Sequence, residues 1–148
     1  VRWANAGHPP PMIITADGAV ETLTGPRADL LLGVDDTAAR RELEVTLEEG
    51  STLVLYTDGL VERRDATLDD GLDRLRDALG DLADRDLDEL CDALLERMLP
   101  DRTDDDVALV AVRLHRQDRL RPAEAGPNRI PPDVPGSPAV RLPADPRV

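Results

Sequence analysis

Leu53-Val54-Leu55-Tyr56-Thr57-Asp58-Gly59-Leu60-Val61-Glu62 runs from apolar residues straight into a carboxylate and a glycine. The unbroken apolar run Leu53 to Tyr56 predicts a strand buried on both faces. Asp58 then stands just past a rigid element, at the edge of a sheet and facing a cleft, and Gly59 lets the backbone turn sharply there. A second acidic group also sits at the end of an apolar run: Asp104-Asp105-Asp106 precedes Val107-Ala108-Leu109-Val110-Ala111-Val112, predicted as another buried strand. Adjacent carboxylates repel one another unless a cation or solvent compensates, and hard divalent cations such as Mg²⁺ and Mn²⁺ take oxygen ligands of this kind. Each group also has a plainer reading. Asp-Gly is a common turn dipeptide, Thr57 fits a turn equally well, and acidic triplets are mostly solvated loops.

Upstream, Arg2 to Asn5 predicts a short strand leading into the loop Ala6-Gly7-His8-Pro9-Pro10-Pro11. Met12 to Thr15 and Ala19 to Thr22 flank Ala16-Asp17-Gly18, a hairpin signal because Asp and Gly tolerate positive φ. Residues 25–39 read as loop. Leu43, Val45 and Leu47 alternate with polar residues, the period of a strand with one wet face, and Glu49-Gly50 is a turn. Downstream, Leu72, Leu75, Leu79 and Leu82 recur at helical spacing, as do Leu87, Leu90, Leu94 and Met98. Asp86, three residues before Glu89, fits an N-cap pair, and Pro100 closes the second helix. Strands, then helices, then a strand make an α+β pattern rather than a strict βαβ repeat.

The chain has 148 residues, about one domain. Acidic residues number 31 against 18 basic ones, a formal charge of -13. That excess speaks against nucleic-acid and anionic-membrane binding. No window approaches the roughly 18 apolar residues of a membrane span, and the start lacks the pattern of a secretory leader. The single Cys91 excludes an internal disulfide, fits a small buried hydrophobe and predicts a reducing, cytoplasmic setting. With no Phe, the core must come from Leu, Val, Ile and Ala. The strand-like start without Met predicts a piece of a longer protein. Residues 115–148, rich in Pro and Arg and without apolar period, predict a disordered linker.

Other chemistries lack their residues. There is no P-loop, nucleophile elbow or hydrolase triad. Calcium loops fail because Asp70 and Asp106 stand where Gly is required. One Cys and two His are too few for a zinc site. A haloacid-dehalogenase site needs an Asp where Tyr56 stands.

Three motifs together, Ala4-Asn5-Ala6-Gly7-His8-Pro9-Pro10-Pro11, Leu53 to Glu62, and Asp104-Asp105-Asp106-Val107-Ala108-Leu109-Val110, resemble the metal-dependent serine/threonine phosphatases of the PPM class (protein phosphatase 2C-like). The order and spacing are most similar to the C-terminal half of the domain in the bacterial sporulation-protein-E branch, which regulates sigma factors. The resemblance covers residues 1–114. It implies the C-terminal part of an α-β-β-α sandwich, two facing sheets flanked by helices, with two Mn²⁺ or Mg²⁺ ions at one edge. Water held between the metals attacks the phosphorus of a phosphoserine or phosphothreonine, so the carboxylates are ligands and no side chain is the nucleophile.

By this resemblance Asp58 is one metal ligand and Asp105 the other, with Asp104 and Asp106 as neighbouring registers. Gly59, Asn5, Gly7 and His8 shape the site's edge without a ligand role. The family's remaining ligands lie in an N-terminal half that this sequence does not contain. The expectation is therefore an enzyme in the intact parent and an inactive fragment here. The implied partner is a phosphorylated regulatory protein of the anti-sigma-factor-antagonist kind, with a sensor domain upstream in the parent. Ala139 to Pro146 resembles the strand that opens a histidine-kinase-like ATPase domain. The alternative is a non-catalytic phosphatase-like regulatory or binding module, which would have little reason to keep both Asp58 and Asp105.

Overall fold

The structure, a computed structural model, describes residues 1–25, 30–64, 66–99 and 105–115. Pro26, Pro100, Asp104 and the expected linker from residue 116 onward lie outside the described residues. Strand β1 is Arg2–Trp3, β2 Met12–Ile14, β3 Val20–Thr22, β4 Leu43–Glu44, β5 Thr52–Tyr56 and β6 Leu109–Arg113. Helices α1, Leu68–Asp81, and α2, Leu87–Met98, fall between β5 and β6.

Asp17-Gly18 closes the hairpin between β2 and β3 as expected. Gly18 takes φ +87°, and the turn is tied by Thr15 N–H to Ala19 O at 2.8 Å and Gly18 N–H to Thr15 O at 2.9 Å. The hairpin then builds a four-stranded antiparallel sheet in the order β3-β2-β5-β6, with Met12 opposite Val54 and Tyr56 opposite Leu109. A separate two-stranded sheet pairs β1 with β4.

Both helices form where the leucine spacing places them, and both start on side-chain caps. The Thr67 hydroxyl accepts from Asp70 N–H at 3.2 Å while the Asp70 carboxylate accepts from Thr67 N–H at 3.0 Å. Bonds from the Thr67 hydroxyl and amide hold the Asp70 carboxyl below its ordinary range. Asp86 caps α2 by accepting from Glu89 N–H at 2.8 Å. The apolar stripe of the helix pair, Leu75, Leu79, Leu82, Leu90, Leu94 and Met98, packs on Met12, Ile14, Val54 and Tyr56. Each such fully buried side chain contributes roughly 1.5–3 kcal/mol, so this layer is the main source of stability. Cys91 is half-buried against the same core, and burial pushes its thiol pKa up.

Three expectations need correction. β5 is not buried on both faces: Thr52, Val54 and Tyr56 are buried, but Leu53 is half-buried and Leu55 is 36% exposed. β6 starts at Leu109, not Val107, and is an edge strand with Val110 52% and Val112 49% exposed. The physical reason is the same for both, because the helices cover only one face of the sheet. On the other face Ile13 is buried, beside Val45 and Leu47, whereas Leu55, Val110 and Val112 stand open. The wet-faced strand through Leu47 forms a regular ladder only over Leu43 and Glu44, with Val45 bonded to Val1 just beyond it. The alternation of burial still runs from Glu42 to Glu48.

Candidate functional site

Antiparallel register decides which loops meet. The start of β2, the end of β5 and the start of β6 fall at one end of the four-stranded sheet. The Pro10-Pro11 end of the Asn5 to Pro11 loop, the Thr57-Asp58-Gly59 turn and the Asp105-Asp106 segment therefore meet there. These are the three stretches singled out in the sequence.

Thr57 fastens two of them. Its N–H donates to Ala108 O at 3.0 Å, its hydroxyl donates to Asp106 O at 3.0 Å, and the same hydroxyl accepts from Ala108 N–H at 2.9 Å. One side chain thus extends the β5–β6 ladder past its last regular pair. Sequence reasoning left Thr57 as a turn residue. The available signal was a hydroxyl, both donor and acceptor, directly after a buried strand.

Asp58 opens a 3₁₀ turn, Asp58–Leu60, and is exposed. Its Oδ1 accepts from Gly59 N–H at 2.9 Å. Asp105 repeats the arrangement, with its Oδ1 accepting from Asp106 N–H at 2.8 Å. Each carboxylate is oriented through Oδ1, and among the described residues no hydrogen bond engages its Oδ2. Gly59 lies within this tight turn. Its φ is not positive, and a Cβ there would stand 2.7 Å from Asp106 O and 3.4 Å from the Asp105 carbonyl carbon. Close approach of the two acid-bearing segments is what requires glycine.

The Asn5 loop closes on itself. Asn5 Nδ2 donates to His8 O at 2.8 Å, and His8 N–H donates to Asn5 Oδ1 at 2.9 Å. Gly7 takes φ +87°, and a Cβ there would run into the Leu31 side chain. His8 Nδ1 lies 2.9 Å from Pro9 O. Asn5 and Gly7 fix the shape of this loop, and His8 takes part through backbone and ring.

The Tyr56 hydroxyl anchors the end of this loop by donating to Pro10 O at 2.8 Å. Burial pushes the Tyr56 phenol up to about 12, while the Arg76 charge pulls the other way. The folded pKa thus lies above the reference value of 10.0, so the stability it contributes is full below pH 10 and is lost as pH rises through about 12. Since Tyr56 is the chain's one tyrosine, an ultraviolet phenolate titration reads it directly. The native chain should ionise near pH 12 and the urea-unfolded chain near 10; coincident titrations would contradict the burial of the Tyr56 phenol.

Carboxylates held at one sheet end suit a hard divalent cation. Among the described residues no group of three or more His, Cys, Asp or Glu side chains forms a complete cage. The donor type of Asp58 and Asp105 fits such an ion.

A family model described as stage II sporulation protein E (SpoIIE) matches residues 1–115. The chain is similar to the structure of the RsbU and RsbW domains of Rv1364c from Mycobacterium tuberculosis, with 31% identity, TM-score 0.65 and coverage of 77% of this chain and 33% of that one. It is also similar to the Mn-presoaked phosphatase domain of the cell fate determinant SpoIIE from Bacillus subtilis, at 18% identity and TM-score 0.59, covering 81% of this chain and 53% of that one. A third match is the PP2C phosphatase domain of SpoIIE from Bacillus subtilis with a fragment of its regulatory domain, at 18% identity and TM-score 0.53, covering 77% and 34%. The chain spans about a third to a half of the length of these structures.

Proposed function

The chain belongs to the SpoIIE family of PP2C-type phosphatase domains, and from that membership we propose that it is the carboxylate-bearing C-terminal half of a metal-dependent phosphoserine/phosphothreonine protein phosphatase. The observation that carries this reading is the locking of the Asp58 turn against the Asp105-Asp106 segment by Thr57 and Gly59.

Asp58 and Asp105 would hold Mn²⁺ or Mg²⁺ through their carboxylates, and Asp106 adds negative charge beside them. Bound there, divalent cations supply Lewis-acid polarisation of the phosphoryl group. The chain's own residues do the rest of what falls to this half. Gly59 N–H and Asp106 N–H orient the two carboxylates, Thr57 keeps their segments in register, and the Asn5 to Pro11 loop walls the site's edge. Residues upstream of Val1 complete the metal shell in this reading. The substrate is a phosphorylated regulatory protein of the anti-sigma-factor-antagonist kind. The likeness to a chain that joins RsbU and RsbW domains supports a regulatory setting.

The test is hydrolysis of p-nitrophenyl phosphate and of a phosphoserine protein by the chain extended upstream to the length of its relatives. Turnover that EDTA abolishes and Mn²⁺ restores is the expected result. A folded extended chain without metal-dependent turnover would leave the phosphatase-like binding module as the better reading.

A further inference from the structure

We propose that Gly71 of α1 is a positioning residue for Asp58, setting where its carboxylate stands through the Val61 carbonyl; this rests on the reading of Asp58 as a metal ligand. Glycine inside a helix costs about 1 kcal/mol relative to alanine, so a buried one calls for a compensating contact. Here a Cβ at Gly71 would run into the Val61 carbonyl oxygen and stand 2.9 Å from its carbon and 3.3 Å from Val61 Cβ. The first turn of α1 therefore rests directly on the backbone that follows Asp58.

That backbone is one hydrogen-bonded unit. Val61 N–H and Glu62 N–H both donate to Asp58 O at 2.8 Å, and Leu60 N–H donates to Thr57 O at 3.1 Å. Just beyond it, the Arg63 guanidinium donates to Met98 O at the end of α2, at 2.5 Å. The turn is thus held between two close approaches, Gly59 on Asp106 and Gly71 on Val61. A displaced Val61 carbonyl carries Asp58 with it, because the two are joined through a single turn. Gly80, in the same helix, supplies a contrast. It is exposed, and the nearest atom to a Cβ there is Val20 Cγ2 at 3.9 Å.

The experiment measures Mn²⁺ affinity by paramagnetic resonance of the free ion, independent of turnover, in the upstream-extended chain. Gly71→Ala should weaken Mn²⁺ binding by about tenfold, the lower range for groups that orient metal ligands. Gly80→Ala should keep wild-type affinity and raise the melting temperature. A folded Gly71→Ala variant with wild-type affinity overturns the proposal and makes Gly71 a packing residue only. If Gly71→Ala does not fold, Thr67→Ala decides. It removes the α1 cap, at about 1 kcal/mol, and frays the turn that presses on Val61. Weakened Mn²⁺ binding in that variant supports the proposal, and unchanged binding overturns it. Asp58→Asn separates the two levels: unchanged Mn²⁺ affinity there removes the metal reading itself, and the role of Gly71 with it.

Discussion

Asp58→Asn is expected to lower Mn²⁺-dependent turnover of the upstream-extended chain by about 100-fold or more, since even groups that only orient metal ligands cost about 10–100-fold when lost. The substitution is nearly isosteric, and an Asn Oδ1 can still accept from Gly59 N–H, the bond that Asp58 makes at 2.9 Å. Turn and helices should therefore survive, with an unchanged thermal melt. What disappears is one negative charge and a hard anionic donor at the end of β5. The measurement is turnover across a Mn²⁺ titration. A loss partly recovered at high Mn²⁺ marks a ligand, and a variant with wild-type turnover would remove Asp58 from the site.

Gly59→Ala should be almost as severe, although it removes no functional group. Its Cβ would meet Asp106 O at 2.7 Å and the Asp106 carbonyl carbon at 3.3 Å, both backbone atoms that no rotamer change can move. The Asp105-Asp106 segment must then shift away from the Asp58 turn and strain the Thr57 bonds to Asp106 O and Ala108 N–H. A misplacement of about 1 Å at a reacting centre can cost on the order of 100-fold in rate. Turnover and Mn²⁺ affinity should fall together while the core melts normally, because Gly59 lies outside the helix–sheet core. A Gly59→Ala variant that turns over like the wild type would show that the two segments need no close approach.

The difference between these variants mirrors what is legible in a sequence. A side chain that brings its own chemistry, such as Asp58 or Asp105, is visible as a letter in a pattern. Gly59 and Gly71 act by leaving space, and the atom that needs the space is remote in the chain: Asp106 for one, Val61 for the other. Gly59 invites a reading as a flexible turn, because that is the local use of glycine. Its backbone is ordinary, and the constraint is tertiary. Thr57 and Tyr56 are similar. Their hydroxyls matter because register carries Asp106, Ala108 and Pro10 to within hydrogen-bond distance.

By itself the sequence determined whatever depends on short-range periodicity and turn chemistry. The Asp17-Gly18 hairpin, the leucine stripes of α1 and α2 and the Asp86 cap all follow from residues a few positions apart. The three motifs that carry the family also stand in the sequence, because their order and spacing are linear properties. Only the tertiary structure decided which faces of the sheet are covered. The apolar runs Leu53 to Tyr56 and Val107 to Val112 look buried on both sides, since hydrophobicity records a preference and not its partner. In the fold one helix layer packs on Val54 and Tyr56, while Leu55, Val110 and Val112 face outward. Antiparallel register, a sum of long-range backbone hydrogen bonds, then gathers Pro10 and Pro11, the Asp58 turn and the Asp105-Asp106 segment at a single end of that sheet.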